Sequence, residues 1–158
     1  MTFVRSLMLF SVLSSLIIAQ GLPTQKVLTT EVANMIAQDA VTKCRADGFH
    51  VTVAVLDRGG AIKVMVRDDG SGMLSIDVAR GKAMASLAFG VSSAEAGKLF
   101  ASIPNPPQIP GVMAIAGALP IKVGQDVVGA VGVSGAPGGD KDEACAAAGL
   151  AKVSDKLK

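Results

Sequence analysis

The chain has 158 residues, which suits one domain, and half of them are apolar, enough for a sizeable core. The formal charge is +2 with Lys and Arg dispersed, so no basic stripe points to DNA or RNA. Five Phe, no Trp and no Tyr leave no aromatic platform for stacking single-stranded bases.

Residues 1–21 read as a secretory signal. Arg5 supplies a positive start, and Leu7 to Ala19 is an apolar run shorter than the roughly 20 residues that span a bilayer. Ala19-Gln20-Gly21 fits a small-x-small cleavage site, with an uncleaved anchor as the other reading. Residues 22–158 then form a single domain without a membrane span, expected to be periplasmic or secreted. Cys44 and Cys145 remain, and both fall on predicted helices. Export permits a disulfide between them. Two buried thiols are the alternative, since free Cys is a common small core residue. With one histidine in the chain and no ligand spacing around the cysteines, no metal site is expected.

Thr29 is placed to cap a helix from Thr30 to about Ala46, with Val32, Met35, Ile36 and Ala40 at helical spacing and Gly48 beyond its end. Val51 to Asp57 reads as a strand apolar on both faces, hence central or covered. Asp57-Arg58-Gly59-Gly60 turns it into a return strand, Ala61 to Arg67. Ser75 is expected to cap a helix running to Phe89, rich in Ala, Gly and Ser. Small residues let a strand or another subunit's helix approach closely. Ser92 and Glu95 have capping-box spacing for a short helix through about Ala101.

Four prolines in Ser102 to Val112 exclude helix and central strand there. Met113 to Ala116, Leu119 to Val123 and Val127 to Val133 read as three further strands. Gly129, Ala130 and Gly132 leave the last of them without bulk, so another backbone or a ligand can come close. Ser134 to Gly139 breaks this strand. Asp140, Asp142 and Glu143 then suit a helix's first turn, and Ala144 to Val153 is helical by propensity. A phosphate loop at this turn is disfavoured, because three carboxylates occupy the spot and no GxxxxGK[ST] is present. The expectation is an α/β (α+β) fold with a five-stranded, mainly antiparallel sheet and helices on its faces.

Five stretches together resemble the GlcG/HbpS-like haem-binding family over about Leu28 to Leu150. They are VTVAVLDRGGAIKVMVRDDG, SIDVARGKAMAS, ALPI, DVVGAVGVSG and DEACAAAGL, in that order. The resemblance extends to a domain fused to a cobalamin adenosyltransferase. It implies a profilin-like sandwich, homo-oligomers, and haem or a similar small-molecule ligand.

Haem needs an apolar slot, an axial ligand and cationic partners for its propionates. The one histidine, His50, is either a ligand or a surface and capping residue. Met65, Met73, Met84 and Met113 are softer candidate ligands, although methionines at apolar positions are mostly core filler. Arg67 and Lys82 lie within the matching stretches and suit carboxylates, or else pair with Asp68, Asp69 or Asp77. Ser134 and Gly135 line the candidate ligand loop, although Gly132-Val133-Ser134-Gly135 does not meet the G-x-S-x-G nucleophile pattern. Two other functions stay open. One is a small-molecule enzyme with a pocket near Ser134, Arg67 and Lys82. The other is a structural or sensor module that binds another protein.

Overall fold

A computed structural model describes residue 22, residues 24–105 and residues 108–158. The expected signal segment lies outside the described residues. The element order is α1 (Thr30–Ala46), β1 (Thr52–Asp57), β2 (Ile62–Arg67), α2 (Ser75–Phe89), α3 (Ser93–Ala101), β3 (Ala118–Val123), β4 (Asp126–Ser134) and α4 (Gly139–Lys152). No described helix is long and apolar enough to cross a membrane.

The sheet has the order β2-β1-β4-β3, and every pair in it is antiparallel. It therefore has four strands among the described residues, one fewer than expected. The missing strand is Met113 to Ala116. Its first amide donates to the Gly81 carbonyl inside α2 at 2.9 Å, and no strand lies beside it to complete a ladder. β1 is central, as its two apolar faces predict.

The faces of the sheet differ. Val53, Val55, Val131, Val133 and Ile121 point to one side, where Ile36, Ala37, Ala40 and Ala146 of α1 and α4 cover them in the main core. Cys44 and Cys145 lie in that layer, fully buried and joined as a disulfide with Cα atoms 5.5 Å apart. On the other side Leu56 and Ala130 meet Ala83, with Met84 and Leu87 packed around them.

The closeness of α2 to β4 follows from residue size. A Cβ on Gly132 would lie 2.2 Å from the Ala79 carbonyl oxygen and 2.8 Å from the Ala83 nitrogen. The helix backbone thus rests directly on the strand backbone, which only Gly permits. The small-residue face of α2 serves a strand.

Helix starts follow their expected capping at α1 and α3, the acids Asp140 and Asp142 fall in the first turn of α4 as expected, and the start of α2 departs from expectation. The Thr29 hydroxyl accepts from the Val32 amide at 3.3 Å, and Ser92 with Glu95 forms a reciprocal capping box. Ser75 does not cap α2. It is the first helical residue, Leu74 holds the cap position, and no side chain caps this end. α4 begins at Gly139, five residues before the alanine run.

Candidate functional site

Four chain segments meet at one end of the sheet on the α2 side. The strand register puts Thr52 of β1 directly between Arg67 of β2 and Ser134 of β4. Cross-strand neighbours share a face, so all three side chains rise toward the start of α2. The Thr52 hydroxyl lies 2.7 Å from that of Ser75 and 3.1 Å from that of Ser71. Ser71 and Ser75 are 2.8 Å apart, and Ser75 donates to the Gly72 carbonyl at 2.5 Å. The Arg67 guanidinium donates to the Ser71 carbonyl at 2.6 Å. Three buried hydroxyls and one guanidinium thus fix the Asp68–Gly72 loop against the helix.

Above this network lies an open trough of about 400 Å³. Ser134 and Gly135 form one wall. Gly72, Met73, Leu74, Ser75 and Val78, the entry to α2 and its first turn, form the other. Met73 is 79% exposed and Leu74 is largely exposed. Ser134 is only 8% exposed, yet its hydroxyl makes no hydrogen bond among the described residues. The hydroxyl is open to the trough rather than sealed in the core.

Lys82 sits behind Ser134 and is 3% exposed. Its ammonium donates to Asp142 Oδ2 at 2.6 Å and to the Val133 carbonyl at 3.1 Å. Asp142 Oδ1 accepts from the Ala136 amide at 3.0 Å, which holds the loop after β4. Burial pushes the Asp142 carboxyl above its ordinary value, against the lowering effect of the ammonium. A Cβ on Gly117 would lie 2.6 Å from Nζ, so the chain can pass this pair only as glycine. Lys82 is therefore not a free cation for a ligand. Its partner is Asp142, not Asp68, Asp69 or Asp77. The sequence signalled Asp142 only as an acid in a helix's first turn; its contact with Lys82 spans 60 residues.

His50 does not line the trough. Its Nδ1 lies 3.0 Å from Asp68 Oδ2, and its side chain is 57% exposed. Arg45 reaches the same carboxylate through Nε at 3.3 Å and through a second guanidinium nitrogen. The Arg45 hydrogen bond, helped by His50, holds the Asp68 carboxyl well down, at about 2, against the opposing effect of its burial. His50 thus stands at the surface, paired with Asp68 and away from the trough. Arg67 bonds a backbone carbonyl rather than an acid. Met113 lies over Gly81 on α2, half-exposed and outside the trough.

Of the six candidates His50, Arg67, Lys82, Met113, Ser134 and Gly135, the structure brings Ser134 and Gly135 into one trough, while Arg67 does not line it and bonds the carbonyl of Ser71, the residue before Gly72. His50, Lys82 and Met113 stand apart. Met73, Leu74 and Val78 complete the trough. Met73 was visible only as one of several methionines, and the other two as apolar positions near a helix start. Among the described residues no imidazole or carboxylate lines the trough, so none of them stands there as a general base for Ser134. A larger cavity of about 780 Å³ lies between Phe100 and the described ends of the proline loop, and none of the six residues lines it. No cluster of three or more His, Cys, Asp or Glu could hold a metal among the described residues.

No functionally curated protein matches the chain. A doubly substituted HbpS of Streptomyces reticuli is 40% identical, with a TM-score of 0.79 over 84% of this chain and 92% of that one. A further HbpS crystal structure is 39% identical, with a TM-score of 0.79 over 84% and 96% of the two chains. A PduOC:heme complex is 19% identical and shares the fold, with a TM-score of 0.71 over 80% and 95%. Residues 28–151 match the family model described as "Haem degrading protein HbpS-like". The chain belongs to the HbpS-like family.

Proposed function

We propose that this protein binds haem as a homo-oligomer in the periplasm or outside the cell, without catalysing a reaction of its own. The carrying observation is the trough between β4 and the start of α2. Leu74 and Val78 offer apolar contact to a flat tetrapyrrole, and the exposed Met73 thioether is a known type of axial haem ligand. Arg67, bonded to the Ser71 carbonyl next to Gly72, is a cation on the same face of the sheet. Haem placed there would be held by these residues, and it would supply the iron and the visible chromophore. Family membership supports the ligand. The apolar run of residues 7–19 supports export. Exposed Met73, Leu74 and Ile115 suit a surface covered by another subunit.

Haemin titration of residues 22–158, read at the Soret band, tests this. A saturable shift is expected. Met73→Ala should weaken it at least about tenfold, since an axial bond contributes more than one factor of ten. His50→Ala should leave it unchanged. No saturable shift overturns haem binding, and loss in His50→Ala moves the site to the Asp68 cluster.

The family description names degradation, and this favours one alternative: haem bound here is consumed. Decay of the Soret band with a reductant and oxygen, faster than for free haemin, would replace the non-catalytic reading.

A further inference from the structure

The unpartnered hydroxyl of Ser134 has a specific consequence. Ser134 as a residue is more than nine-tenths buried, and its hydroxyl opens on the trough it shares with the start of α2, a helix of 15 residues. Thr52 pairs with Ser134 in register and bonds the first helical residue, Ser75, so the hydroxyl and the helix end are adjacent. No side chain caps that end. The amides of Ile76 and Asp77 donate to no acceptor among the described residues. Free first-turn amides and the helix dipole favour negative charge. Arg67 adds a positive charge on the same face of the sheet, pinned through Ser71.

We infer that this end of the trough is a carboxylate site, in which Ser134 Oγ–H and the first-turn amides of α2 donate to one carboxylate of the ligand. A carboxylate accepts through two oxygens and so can take the hydroxyl and an amide together. Charge-assisted bonds of this kind are roughly twice as strong as neutral ones. The Asp77 carboxylate is exposed and also lies in the first turn, so the site favours one carboxylate over a multiply charged anion. Lys82 adds no net charge, because Asp142 neutralises it. The inference deepens the haem reading and rests on it only for the carrier: the carboxylate is a propionate of a tetrapyrrole or belongs to a small free acid.

The test uses two probes on residues 22–158 and on the Ser134→Ala and Ser134→Thr variants. The first compares haemin with haemin dimethyl ester, whose propionates cannot carry charge. The second is acetate, followed by the amide shifts of Ile76 and Asp77. Haemin should bind at least about tenfold more tightly than the ester, Ser134→Ala should cut that ratio to about threefold or less, and Ser134→Thr should keep it. Equal binding of acid and ester, unchanged by Ser134→Ala, overturns the carboxylate site while haem binding stands. Failure of haemin with saturable, Ser134-dependent amide shifts from acetate supports the site with a small acid as carrier and removes haem. Failure of both probes overturns the site and the haem reading together.

Discussion

Lys82 and Asp142 are both nearly out of water, and their mutual contact is what permits the burial. Removing one charge leaves the other buried without a partner, which costs about 3–5 kcal/mol. Lys82→Met should therefore lower unfolding stability by that amount in urea. Lys82→Met combined with Asp142→Asn should recover part of it, because no lone charge remains and the amide oxygen can still accept from Ala136. A loss below about 1 kcal/mol in the single variant would contradict the pair's role. Asp68 behaves differently with pH. Its carboxyl is held at about 2, below the ordinary 3.8, so the ionised form favours the fold. That stabilisation is complete above about pH 4 and is lost as pH falls toward 2. Melting temperature should drop over this window, and Asp68→Asn should flatten the drop. An unchanged slope in the variant would contradict it.

At the scale of elements, α2 is the piece whose sequence and position are most tightly tied. Its Ala, Gly and Ser face lies on Gly132 and Ala130 of β4. The same closeness brings Ser75 to Thr52 and shapes the trough wall. Ala83 is fully buried and meets both Gly132 and the Leu56 layer. Ala83→Leu should cost about 1–3 kcal/mol by overpacking. Because it lifts α2 from the sheet, it should also weaken ligand binding. Unchanged melting would mean that the helix has room to shift.

For the molecule as a whole, the disulfide joins two helices of one layer that are far apart in sequence. Cys44 and Cys145 are separated by 101 residues and tie the first helix to the last. Closing a loop of that length is worth about 4.7 kcal/mol in the chain-entropy view. Reduction, or Cys44→Ala with Cys145→Ala, should lower stability by about that much. Thiol labelling of the denatured, unreduced protein should find no free thiol, and two labelled thiols would disprove the bond. The bridge lies on the α1–α4 face, opposite the trough, so the double variant should still bind haemin.

The sequence by itself determined the local structure. Alternating Val and Ile marked β1 and β2, Thr29 and the Ser92–Glu95 spacing marked two helix starts, and the five family stretches carried the ligand class. These signals are short-range, and periodicity or capping encodes each within a few residues. Strand identity failed where local pattern was insufficient: Met113 to Ala116 is apolar, but its amide bonds Gly81 of α2. The site needed tertiary structure. Lys82 looked like a ligand cation until the fold set Asp142 against it. His50 could be read as a ligand or a surface residue, and the fold sets its Nδ1 against Asp68, away from the trough. Ser134 looked like one polar residue in a glycine turn until the β1–β4 register set it beside an uncapped helix. Which charges cancel, and which hydroxyl is left without a partner, depends on contacts spanning tens of residues, and only the packed chain decides those.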